Sequence, residues 1–142
     1  MKKLLIILLP ITIFSQSTQT DIDSLRYYMH NELNVYRISM NLDTLEICEN
    51  INKKAQYWAE QMYKNKNFEH STIYPDGENI LMGINQSMSY KDQALKMLYR
   101  WKNSPGHNRN ILYPKNIKIG YGFYKGYAVQ MFKHAKIIYT GI

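Results

Sequence analysis

The chain has 142 residues, a formal net charge of +7, 13 tyrosines, 8 methionines and a single cysteine. One cysteine, Cys48, allows no intrachain disulfide, so the fold must rest on burial of large, adaptable side chains. The basic residues (among them Lys53, Lys54, Lys64, Lys66, Lys115, Lys118 and Lys125) are scattered. They form no basic face interleaved with stacking aromatics, which excludes a nucleic-acid-binding surface and leaves weak attraction to acidic envelope polymers.

Lys2 and Lys3, the apolar run Leu4 to Phe14 and the polar stretch Ser15-Gln16-Ser17 follow the charged, apolar, small-residue order of a secretory signal peptide. The run is shorter than the roughly 20 residues of a membrane span, and no cysteine follows it to carry a lipid anchor. The expectation is a signal peptide over residues 1–17 and a single domain over 18–142, secreted or periplasmic, with no membrane span in the mature chain. Loss of Lys2 and Lys3 leaves 16 basic against 11 acidic residues, a charge of +5.

Thr18 to Asp23 reads as a polar lead-in, followed by a helix to about Arg37 with Leu25, Met29, Leu33 and Tyr36 on one face. Asp43 with Glu46 resembles a capping box opening a second helix to about Lys66. Its stripe Cys48, Ile51, Ala55, Trp58, Ala59, Met62 keeps helical spacing and predicts buried positions for Cys48 and Trp58. Residues 65–79 read as irregular, with Pro75-Asp76-Gly77 as a turn. Ser89 and Asp92 cap a third helix over Tyr90 to Asn103, with Ala94, Met97, Leu98 and Trp101 inward. Ser104-Pro105 opens a short fourth helix, serine as N-cap and proline at its first position. Ile117 to Phe123 and Tyr127 to Phe132 are strands joined through Tyr124-Lys125-Gly126, and Ile137 to Tyr139 adds an edge strand. The sum is an α+β domain in which helices cover a small antiparallel sheet.

Three segments carry chemistry: Phe68-Glu69-His70-Ser71, Gly77-Glu78-Asn79-Ile80, and the run from Ser104 to Leu112 that holds His107. Each places a metal-ligating or proton-handling group beside turn or cap residues that fix its direction. Taken singly, His70, Glu78 and His107 read as a solvated loop histidine, an exposed carboxylate and a structural histidine. Together, two imidazoles and a carboxylate are a ligand set for zinc or another divalent cation, with a position left for water. Without metal they form a His–Glu–His cluster in which the carboxylate favours imidazolium. Asn79 and Ser71 brace the two loops. Ser71 and Ser104 lie near in sequence, but nothing resembles Gly-x-Ser-x-Gly and Ser104 is better explained as a cap, so no catalytic nucleophile is assigned.

Those segments, with Ala55-Gln56-Tyr57-Trp58-Ala59, Trp101, Gly120-Tyr121-Gly122 and Tyr127 to Phe132, occur in the order of the CAP superfamily. The chain resembles the compact bacterial branch of these SCP-domain proteins from about His30 to Phe132. The resemblance implies a three-layer α-β-α sandwich, an extracellular protein, and a central cleft lined by two histidines and two acids that can hold a divalent cation. His70, His107 and Glu78 match three of the four. The second acid, three residues after the helix tryptophan in many eukaryotic members, is Ser104 here, which implies weaker cation binding. The arginine usual four residues after His30-Asn31 is replaced by Asn34, the nearest arginine being Arg37, and the eukaryotic disulfides are absent.

The function expected is a binding or interaction module at the envelope, its ligand being a lipid, an envelope polymer or a protein. The alternative is a metal-assisted or His/Glu-dependent hydrolase.

Overall fold

The computed structural model describes residues 17–74 and 76–136. Residues 1–16 of the expected signal peptide and the expected edge strand Ile137 to Tyr139 lie outside them. In chain order come α1 (Ser17–Ser39), β1 (Glu46–Ile47), α2 (Glu49–Asn65), β2 (Glu78–Leu81), α3 (Tyr90–Lys102), α4 (Pro105–Ile111), β3 (Asn116–Tyr124) and β4 (Tyr127–His134). The sheet runs β1-β3-β4-β2.

One apolar core packs α1, α3 and α4 against the sheet through Leu25, Met29, Leu33, Met97, Trp101 and Ile111. A second packs α2 against the opposite face through Ile51, Ala55, Ala59 and Met62, meeting Ile80, Val129 and Met131. This is the α-β-α sandwich expected, with α2 alone as one outer layer.

The helical stripes fall inward as their spacing requires, with two corrections. Trp101 is fully buried, whereas Trp58 and Cys48 are half-buried at the margin of the α2 core. Trp58 turns outward because its indole N–H donates to the Glu69 carbonyl at 3.0 Å, anchoring the loop that carries His70. The polar lead-in is itself helical, since α1 begins at Ser17.

The Asp43–Glu46 box opens no helix. Glu46 and Ile47 instead pair in parallel with Lys118 and Ile119, so the sheet is mixed rather than purely antiparallel. The Asp43 carbonyl accepts from the buried Arg37 guanidinium at 2.8 Å, and α2 starts only at Glu49. β2 begins at the end of the stretch read as irregular and runs two residues past it; it pairs antiparallel with β4, Glu78 opposite Met131 and Asn79 opposite Gln130. Lys125 (φ 47°) and Gly126 (φ 81°) make the two-residue turn between β3 and β4 as the sequence indicates.

β3 has an open edge beyond the short β1, and α2 closes it. The backbone N–H groups of Tyr121 and Phe123 donate to Asn52 Oδ1 (2.9 Å) and Gln56 Oε1 (3.0 Å), and Gln56 Nε2 returns a bond to the Phe123 carbonyl at 3.0 Å. Asn52 and Gln56 stand one helical turn apart, so one helix face satisfies successive backbone groups of the strand. Gly120 and Gly122 make that approach feasible, because a Cβ at either would fall within 2.4 Å of the α2 backbone.

Candidate functional site

The site is assembled at β2, which lies at an end of the sheet order and carries Glu78 and Asn79. Glu78 is 8 % exposed. One of its oxygens, Oε1, accepts from His70 Nδ1 at 2.7 Å and from the Ser71 backbone N–H at 2.9 Å. A carboxylate in its ionised form can only accept, so in that form of the pair His70 donates from Nδ1 and turns Nε2 outward. The His70 side chain is 61 % exposed, so the buried acid holds a solvent-facing ring. Ser71 Oγ and Glu78 Oε2 are both buried, and neither has a hydrogen-bond partner. A buried unpaired carboxylate oxygen is costly and points to a donor or cation at that position.

His107 lies in α4, where Pro105 at the helix start and Ser104 at the N-cap position set its direction. Ser104 has the extended backbone of an N-cap (φ −106°, ψ 114°), but its side chain makes no capping bond. The helix is held from beneath instead. Fully buried Asn79 donates through Nδ2 to the His107 carbonyl and to Gln130 Oε1, both at 3.1 Å. Asn110 Nδ2 donates to Asn79 Oδ1 (2.9 Å) and to the Glu78 carbonyl (3.0 Å), and Asn116 Nδ2 donates to the Asn110 carbonyl at 2.7 Å. This amide network locks α4 to β2, and so His107 to Glu78. Arg37 adds a bond to the Ile111 carbonyl, and Tyr36 Oη donates to Asn108 Oδ1 at 3.0 Å, tying α1 to the same helix.

Burial holds the His107 imidazole below its ordinary pKa of 6.5, and the neighbouring His70 pushes in the same direction. A neutral His107 keeps a lone pair for a ligand.

The structure therefore brings together His70, Ser71 and Glu78 by direct hydrogen bonds, and Asn79 with α4 and His107 by the amide network. Ser104 stands three residues before His107, at the head of the same helix. Among the described residues no group of three or more His, Cys, Asp or Glu is clustered so as to hold a metal. What the structure shows is Glu78 holding His70 from behind, the arrangement that carboxylates give metal-bound histidines.

Sequence reasoning passed over Asn110, Asn116 and Gln130. The signal available was slight: amides spaced through the run after Pro105 and along an otherwise apolar strand, which burial alone makes meaningful. Asn34, in place of the family arginine, holds the Leu45 backbone in both directions (3.1 and 2.9 Å).

Comparison with known proteins agrees with this frame. No functionally curated protein matches the sequence. An extracellular protein containing an SCP domain from Bacillus anthracis superposes with a TM-score of 0.70 at 21 % identity, over 80 % of this chain and 41 % of that one. An outer surface protein from Borrelia burgdorferi gives 0.66 at 20 % identity, over 83 % and 96 %. NaASP2, solved with Zn2+, gives 0.65 at 16 % identity, over 80 % and 82 %. The chain thus spans about two fifths of the Bacillus protein and nearly all of the Borrelia one. The model of the cysteine-rich secretory protein family, CAP, matches residues 30–140, and the chain belongs to that family.

Proposed function

We propose that this chain is an exported CAP domain that works outside the cytoplasm as a binding module, engaging its ligand at the cleft headed by His70, Glu78 and His107. In this reading a divalent cation such as zinc is held by the free ring nitrogens of His70 and His107, with water completing the shell. Glu78 serves as the buried carboxylate that orients the His70 ring. A bound cation would supply a positive centre for an anionic or carbonyl group of the ligand. The carrying observation is the 2.7 Å contact between buried Glu78 and exposed His70.

Export is supported by the N-terminal residue order and by the similar proteins described as extracellular or outer-surface. No described helix is long and apolar enough to cross a membrane. The hydrolase reading lacks an aligned nucleophile: Ser71 Oγ is buried without a hydrogen-bond partner.

Calorimetric titration with zinc tests the cleft. Saturable binding by the wild type that His107→Ala weakens at least about tenfold is expected, since an imidazole ligand is lost. Equal affinity in the two proteins would remove the cation from the account. Intact-mass measurement of protein recovered outside the cytoplasm tests export; a full-length mass in the membrane fraction would contradict it.

A further inference from the structure

A concavity lies where the first turns of α1 and α3 meet the β3–β4 turn, and none of its lining residues is His70, Glu78 or His107. It measures about 260 Å³. Its floor is apolar and buried, formed by Leu25, Met97 and Phe123. Its walls carry one acid, Asp21, one base, Lys125, and the nearly buried Gln93. Tyr90 Oη donates to Asp21 Oδ1, which places the carboxylate at the head of α3 rather than free on the surface. Lys125 lines the cavity from the β3–β4 turn, with its side chain exposed to solvent. Lys125 and Gly126 both have positive φ, and Ile84 N–H donates to the Gly126 carbonyl at 3.1 Å. A Cβ at Gly126 would also press on the Ile84 oxygen at 3.1 Å, so the turn can approach this closely only with glycine there.

We propose that this cavity binds a free apolar α-amino acid. Its ammonium would meet Asp21, its carboxylate Lys125, and its side chain would lie on Leu25, Met97 and Phe123. The volume is below the roughly 300 Å³ at which pockets for drug-sized ligands begin, which suits a ligand of amino-acid size. The two opposite charges disfavour a hydrocarbon or a simple anion, and the buried apolar floor disfavours a bare ion. None of the lining residues belongs to the cleft of His70, Glu78 and His107, so the inference stands independently of the function proposed above.

Calorimetric titration of the wild-type protein with L-leucine and L-phenylalanine tests it, with Asp21→Asn and Lys125→Gln as variants. Lys125 is exposed and Asp21 partly so, and the amide oxygen introduced by Asp21→Asn can still accept from Tyr90, so the fold is retained. Saturable binding is expected, weakened about tenfold or more in each variant, because each removes the partner of one charged end of the ligand. N-acetyl-leucinamide, which keeps the side chain and lacks both charges, should not bind, and His107→Ala should bind as the wild type does. The proposal is overturned by an absence of saturation with either amino acid, by octanoate or N-acetyl-leucinamide binding as well as leucine, by unchanged affinity in either charge variant, or by loss of binding in His107→Ala.

Discussion

Gly122→Ala should destabilise the domain severely, for a reason visible in a single contact. Gly122 lies where β3 passes under α2, and a Cβ there would stand 2.2 Å from the backbone carbon and oxygen of Ala55 and 2.4 Å from the nitrogen of Gln56. These are helix backbone atoms, so no side chain can swing aside. Ordinary contact begins near 3.4 Å, so α2 must retreat by more than 1 Å at that point. The retreat strains the Gln56 amide off Phe123, whose two hydrogen bonds are each 3.0 Å long. Two lost bonds at about 1 kcal/mol each, plus an overpacking cost of about 1–3 kcal/mol, give about 3–5 kcal/mol. Against a total stability of about 5–15 kcal/mol this is a large fraction. Urea unfolding followed by circular dichroism reads it directly. Gly106→Ala is the control: its added Cβ meets nothing within 4 Å, and it lies inside α4. That variant should be neutral or stabilising by up to about 1 kcal/mol. If Gly122→Ala unfolds within about 0.5 kcal/mol of the wild type, a margin typical of inconsequential surface changes, the close approach of α2 to β3 is not what holds these layers together.

Asn79→Leu removes the centre of the amide network and orphans groups on His107, Asn110 and Gln130, at an expected cost of about 3–5 kcal/mol in the same unfolding assay. Trp101→Ala should also cost about 3–5 kcal/mol by opening a cavity, whereas half-buried Trp58→Ala should cost clearly less, about 1–2 kcal/mol; equal losses would show that the two positions are equally buried. Glu78→Gln should weaken cation binding about 10- to 100-fold by releasing the His70 ring, read by calorimetry. Stability should also depend on pH. His107 and His30 are both held below 6.5 by burial, so the folded state binds fewer protons than the unfolded one between those depressed values and 6.5. Their contribution is therefore fully present above about 6.5 and is lost as pH falls through the depressed values. Urea midpoints measured from about pH 8 to about pH 5 should decline over that window, and His107→Gln should flatten part of the decline.

Much of this arrangement was legible in the residues. The inward stripe of α3, its Ser89–Asp92 cap (Asp92 N–H to Ser89 Oγ, 3.1 Å), the Lys125-Gly126 turn and the layering are local patterns that the fold leaves intact. The pairing of His70 with Glu78 was legible as one member of a His–Glu–His cluster, but its geometry was not, because they stand eight positions apart and only strand β2 brings them together. That strand itself was hidden. Glu78, Asn79, Ile80 and Leu81 are all buried, so no polar–apolar alternation marks them. β1 was masked by a local mimic, since Asp43 and Glu46 have capping-box spacing while long-range pairing with Lys118 and Ile119 prevails. Asn52 and Gln56 read as ordinary polar helix residues; only the open edge of β3 gives them a task. Trp58 follows the apolar stripe by spacing but is drawn outward by its bond to Glu69.

The central claim is that His70 and His107 together serve one cation in the cleft, with Glu78 steadying the first. Imidazole nitrogen NMR during a zinc titration tests it most directly, because the chain has only four histidines: His30, His70, His107 and His134. The account predicts that the His70 and His107 resonances move together at the same zinc equivalents, that His70 keeps its Nδ1 proton on Glu78, and that His30 and His134 stay still. Zinc that moves His134 or His30 instead, or that moves His70 and His107 at separate zinc levels, would contradict a shared site.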